Sequence, residues 1–239
     1  MAIMTAVKLA RQTGARAIFA HVSLPGSLSV IREARATGVK VFAESCPQYF
    51  YLSVNDLAEK GPWVKFAPAV RSVASVEQMW SELELGNVNL LSTDHCPFPK
   101  AEKAAGIEDI WKAPYGIPGI ETTVRLILNG VNQGKVSLER VVRALCETPA
   151  RLYGLYPRKG CLLPGADADI LLVDMNVKET LSNDAVVSKC GWTPYDGMQV
   201  QGKVVMTILR GAIVAENGQP VGEPGYGQFI PRPGAQGGR

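Results

Sequence analysis

Two stretches of this chain close an apolar run on a side chain that can do chemistry. Residues 88–98 read Val-Asn-Leu-Leu-Ser-Thr-Asp-His-Cys-Pro-Phe, and residues 16–23 read Arg-Ala-Ile-Phe-Ala-His-Val-Ser. This is how a buried parallel strand delivers polar groups to the open end of an α/β core. An imidazole, His21, and a carboxylate, Asp94, at two such ends suggest metal-assisted hydrolysis. A metal ion makes water a strong nucleophile and polarises a carbonyl, and a carboxylate carries the proton from that water to the departing nitrogen. His21 is then the nitrogen ligand, and Asp94 is both ligand and acid/base. Strand alternation turns His95 away from the same ion, toward a supporting or substrate-facing place. The chain has only two histidines, too few for a binuclear centre. The expectation is that it carries only part of such a site.

Each residue also has a plainer reading. A strand histidine can be a hydrogen-bonded core residue, and an aspartate ending a strand can cap the following turn. Cys46 and Cys96 each precede a proline and read as small buried hydrophobes more readily than as nucleophiles. Arg71 suits an anion or an ordinary surface loop equally. Asp167 and Asp169 flank a turn into a strand and read as structural.

The elements that must position these groups follow from periodicity. Ile3, Val7 and Ala10 recur at helical spacing, with Gly14 as a stop. A strand over 16–22 follows, then a helix capped by Ser27 with Leu28 and Ile31 inward, closed by Gly38. Residues 39–44 form a strand. Ser75 caps a helix carrying Val76, Met79, Trp80 and Leu83, and the strand at 88–93 comes next. Helices are expected over 120–131 and 137–146. This alternation predicts an α/β fold with parallel strands. Three strand–helix units precede residue 100, too few to close a barrel of eight. After Gly154, a strand at 168–174, a strand pair (203–208 and 212–215) and the turn pairs Arg210-Gly211 and Asn217-Gly218 mark a small β-rich module. The expected division is 1–155, 156–219 and a Gly/Pro-rich tail over 220–239, flexible from Pro231 onward.

Composition narrows the class. A net charge of +3, with dispersed basic residues, argues against nucleic acid as partner. No apolar run is long enough for a membrane span, and the N-terminal residues do not read as a signal peptide. Five scattered cysteines fit reduced thiols, hence a cytoplasmic protein.

Seven segments in order resemble the cyclic-amide hydrolases of the amidohydrolase superfamily: hydantoinase or dihydropyrimidinase, allantoinase and dihydroorotase. They are Ala20-His21-Val22-Ser23, residues 44–49 (Glu-Ser-Cys-Pro-Gln-Tyr), residues 67–71 (Ala-Pro-Ala-Val-Arg), residues 92–98, residues 116–121, residues 155–160 and residues 165–170. The resemblance implies a partial TIM-type (β/α) barrel, its last three strand–helix units, beside a small β-sandwich module. It implies binuclear zinc, with His21 the last histidine ligand and Asp94 the ligand that acts as acid/base. Ala67, Tyr115 and His95 would face the substrate, a small cyclic amide or ureide. Hydantoinases commonly carry Ser and Asn where this chain has Ala67 and Tyr115. Residues 115–118 and 191–195 lean toward the allantoinase or dihydroorotase branches. The family's His-x-His pair, carboxylated lysine and further histidine all lie upstream of the segment matching residue 2. The zinc site is therefore expected to be incomplete, and this chain to be inactive alone. It is expected to associate with a missing N-terminal half or to form a homo-oligomer. A metal-free scaffold relative is the alternative of another class.

Overall fold

The computed structural model describes residues 1–231. The tail expected over 231–239 lies, from residue 232 on, outside the described residues. In chain order the elements are α1 (Ala2–Thr13), β1 (Ala17–Phe19), α2 (Pro25–Ala36), β2 (Val41–Ser45), α3 (Gln48–Tyr51), α4 (Val54–Lys60) and α5 (Val73–Glu84). There follow β3 (Leu90–Leu91), α6 (Lys100–Ala104), α7 (Thr123–Asn132), α8 (Leu138–Val142), α9 (Thr148–Tyr153), β4 (Ile170–Thr180), β5 (Gln199–Leu209), β6 (Ala212–Glu216) and β7 (Gln219–Pro220). The fold is mixed α/β, as the alternating periodicity requires. No helix among the described residues is long and apolar enough to cross a membrane.

β1, β2 and β3 form a parallel sheet in that order, with Phe19 beside Ala43 and Ser45 beside Leu91. Pairing continues past the strands: Val22 N–H donates to the Glu44 carbonyl (2.8 Å) and Ser92 N–H to the Ser45 carbonyl (3.0 Å). Parallel strands in register bring their C-terminal ends to one edge, so His21, Glu44 and the Ser92–Asp94 segment emerge together. β3 is shorter than the run 88–93 suggests. Asn89 Oδ1 accepts the Ala43 N–H (2.8 Å) and Arg140 occupies the Val88 carbonyl (2.7 Å), which takes both groups out of the ladder.

The helices pack their apolar stripes on this sheet. Leu28 and Ile31 of α2, Met79 and Leu83 of α5, and Leu126 and Ile127 of α7 are all fully buried with Val41 and Ala43. Each large side chain so buried is worth about 1.5–3 kcal/mol. Two caps differ from expectation. α2 begins at Pro25, whose fixed φ suits the first helical position, and Ser27 lies inside the first turn. α5 is capped by Ser72, whose Oγ accepts the Ser75 N–H (3.2 Å), because Ser72 is the last residue with extended backbone. The helix expected over 137–146 is interrupted by a π turn over Arg143–Glu147. Pro149, two residues beyond it, has no N–H to offer the Leu145 carbonyl.

β4 to β7 form an antiparallel sheet in sequence order. Both hairpin turns are the expected ones: Arg210 and Gly211 have φ 47° and 84°, Asn217 and Gly218 φ 49° and 82°, as two-residue hairpins demand. α7 carries this sheet, with Asn129 Oδ1 accepting the Gln201 N–H (3.0 Å) and Asn132 Nδ2 donating to the Gln201 carbonyl (2.9 Å). Asp167 and Asp169 are structural, both ion-paired to Lys159.

Candidate active site

At the C-terminal edge of the parallel sheet, His21 and Asp94 each turn out of a strand with left-handed backbone, φ 41° and 45°. Residues other than glycine rarely adopt that conformation, and it concentrates at functional sites. Here it breaks the strand alternation. Between the two stands Glu44, at the end of the middle strand. Glu44 Oε2 accepts the His21 N–H (2.8 Å), while Oε1 accepts the Ser92 hydroxyl and the Cys46 thiol (3.3 Å). One carboxylate thus ties all three strand ends together. The only signal for Glu44 in the sequence is an acid closing the strand 39–44, the same pattern as Asp94.

The electrostatics follow from this crowding. Burial pushes the Asp94 carboxyl above its ordinary range, His21 pulls it down and Glu44 pushes it up again. The three groups are therefore within electrostatic reach of one another. Burial, reinforced by Glu44, drives the Cys46 thiol far up, so it stays protonated. Burial does the same to the Tyr49 phenol, whose hydroxyl donates to the Pro68 carbonyl (2.9 Å). Arg71 Nε donates to Ser23 Oγ (3.1 Å), which sets a guanidinium close to the chain that follows His21.

His21 Nδ1 is buried and has no hydrogen-bond partner. A buried unpaired nitrogen is costly, and such an atom beside a carboxylate is what a metal ion would satisfy. Histidine nitrogen and aspartate oxygen are both ordinary zinc donors. The pair fits as part of a coordination set only. Among the described residues no group of three or more His, Cys, Asp or Glu side chains could hold a metal ion.

His95 points elsewhere. Its Nδ1 accepts the N–H groups of Gly119 (3.1 Å) and Ile120 (3.2 Å), so the proton of the neutral ring sits on Nε2 and the ring braces the approach to α7. The segment 113–120 therefore lies directly against the Asp94 turn. Cys96 N–H donates to the Ile117 carbonyl (3.0 Å). A Cβ on Gly116 would meet the Cys96 carbonyl at 2.5 Å, and one on Gly119 the Thr93 carbonyl at 2.8 Å. Tyr115 rides on this segment half exposed, and Ala67 is exposed on the neighbouring one. The two segments are joined, because Gly116 N–H donates to the Lys65 carbonyl (3.1 Å).

The sequence profile described as the amidohydrolase family matches residues 2–214. An L-hydantoinase of Paenarthrobacter aurescens is 41% identical over 97% of this chain and 51% of its own length. A D-hydantoinase of Streptomyces coelicolor is 34% identical over 95% of this chain and 50% of its own. Among solved structures, an L-hydantoinase (dihydropyrimidinase) from Arthrobacter aurescens superposes with a TM-score of 0.94 at 41% identity, over 96% of this chain and 51% of that one. A dihydropyrimidinase from Brevibacillus agri superposes with a TM-score of 0.90 at 34% identity, over 96% and 51%. The chain thus spans about half the length of the relatives it matches. A profile that takes in the parallel sheet, the Asp94 turn and most of the antiparallel sheet assigns the chain to the amidohydrolase family.

Proposed function

We propose that this chain contributes half of the catalytic unit of a metal-dependent cyclic-amide hydrolase of hydantoinase or dihydropyrimidinase type. The observation that carries the reading is the buried, unpartnered Nδ1 of His21 near Asp94, on strand ends bound together by Glu44. His21 and Asp94 would hold a zinc ion, and the remaining ligands would come from the other half of the enzyme. Such an ion supplies Lewis acidity toward the amide carbonyl and toward water. Asp94 would take a proton on its carboxylate and return it to the ring nitrogen as the C–N bond opens. A carboxyl raised by burial suits a group that must both accept and give. Glu44 keeps the His21 turn in place. Ala67 and Tyr115 would line the substrate's side of the cleft, and Arg71 offers a cation for the carboxylate product. The three parallel strand–helix units would be part of a (β/α) barrel that the other half closes, with the antiparallel sheet part of an adjoining β-sandwich.

The test is an assay of ring opening with hydantoin and dihydrouracil. The chain alone is expected to hold no stoichiometric zinc and to show no turnover. Co-expressed with the half carrying the His-x-His pair and the lysine strand, it is expected to gain both. Turnover by the isolated chain, or an assembled pair that binds zinc yet opens no cyclic amide, would contradict the proposal.

A further inference from the structure

Lys65 and Lys103 are buried, Lys103 fully, and neither pairs with a carboxylate among the described residues. Lysine is rarely buried unless paired, because an ammonium loses its hydration there. Each is satisfied by three backbone carbonyls instead. Lys65 Nζ donates to Ile110 (2.6 Å), Trp111 (3.3 Å) and Ala113 (2.5 Å). Lys103 Nζ donates to Lys65 (2.9 Å), Pro114 (3.0 Å) and Gly116 (3.0 Å). All three protons of each ammonium are used. Five of the six acceptors belong to residues 110–116, where the regular structure is one short 3₁₀ turn, Ile110–Lys112. The sixth, the Lys65 carbonyl, lies two residues before Ala67. The Tyr115 ring packs over Lys65 Nζ, 4.2 Å from its centroid, yet remains 52% exposed. A loop with a caged backbone and one exposed aromatic ring is a rigid mount for that ring.

We propose that Lys65 and Lys103 are positioning residues for substrate discrimination. By clamping segments 65–68 and 110–116 together, they fix Tyr115 and Ala67 as one wall, and that wall selects among cyclic amides by the size of their ring substituent. The inference rests on the cyclic-amide reading above for what the wall selects, but the clamp itself is measurable without turnover.

Hydrogen–deuterium exchange on the whole chain tests the clamp. In Lys103→Met and Lys65→Met, amides in 110–117 are expected to exchange at least tenfold faster, with α2, α5 and β2 unchanged. Unchanged exchange in the loop, or a uniform rise across the chain, would overturn the proposal. In the enzyme assembled with its other half, Lys103→Met is expected to raise KM for a 5-aryl hydantoin at least fivefold, with a smaller effect on kcat. Its preference between 5-aryl and unsubstituted hydantoin is expected to shift. Parallel losses on both substrates, with the preference kept, would overturn the selective role. Should the lysine variants fail to fold, Tyr115→Ala removes the ring and leaves both cages intact. It must shift the same preference, and an unshifted preference refutes the wall. If the assembled wild type opens no cyclic amide, the functional reading fails, and the exchange data still decide the clamp.

Discussion

His21 and Asp94 occupy backbone conformations that stability alone would not choose. Left-handed backbone costs an L-residue roughly 1–2 kcal/mol, which glycine escapes, and His21 also holds a buried nitrogen without a partner. His21→Gly is therefore expected to stabilise the isolated chain by up to about 1 kcal/mol in urea denaturation, while His21→Ala does not. A loss of stability in the glycine variant would show that the imidazole serves the fold. Cys46 lies at the same edge, but burial keeps its thiol protonated. Cys46→Ser, which retains a donor to Glu44, is expected to leave turnover of the assembled enzyme within a few-fold, and a loss of a hundredfold or more would restore the thiol as a participant. At this scale the sequence was informative where a chemical residue ended an apolar run, as at His21 and Asp94. It was silent where the role depends on a backbone partner from a distant segment. Nothing in the order of residues announces that His95 Nδ1 receives two amides from the approach to α7, or that Lys65 and Lys103 gather six carbonyls.

The segment between α6 and α7 carries more of the site than its irregularity suggests. Gly116 abuts the Cys96 backbone so closely that a methyl group has no room, and its φ of 155° further disfavours a side chain. Gly116→Ala is expected to destabilise the chain by about 1–3 kcal/mol, read as a lowered urea midpoint with unchanged slope. A neutral result would mean that the segment does not pack against the Asp94 turn. Lys103 gives this element a pH signature. Burial, with Lys65 nearby, draws its pKa from 10.5 to about 8. Between those values the unfolded chain binds the proton and the folded chain does not, so stability rises with pH through that window and is lost as pH falls through about 8. The difference in unfolding free energy between wild type and Lys103→Met should accordingly grow in favour of wild type from pH 8 to 10; a flat or falling difference would contradict it. Long elements with a clear period, such as α1, α5, α7 and the β5–β6 hairpin, were legible in the sequence. β3 is shorter than its apolar run because side chains of Asn89 and Arg140 take its ladder partners, and the helix expected over 137–146 gives way to a π turn at Arg143 because Pro149 offers the Leu145 carbonyl no N–H.

The parallel sheet ends at β1 on one side and β3 on the other, so both are edge strands. Leu171, Leu172 and Ile213 of the antiparallel sheet are each roughly half exposed. Unpaired edges and apolar patches of this kind favour association. Sedimentation of the isolated chain is expected to show self-association that disappears when the other half is co-expressed; a clean monomer at micromolar concentration would mean that these surfaces need no cover. Which substrate is taken was not legible, because Ala67 and Tyr115, proposed to line the substrate's side of the cleft, depart from the residues hydantoinases commonly carry there. The most direct test of His21 and Asp94 as zinc ligands is the metal content of the assembled enzyme, by elemental analysis, for wild type, His21→Ala and Asp94→Asn. Zinc is expected to be retained by wild type and lost from each variant. Equal zinc in all three would contradict it.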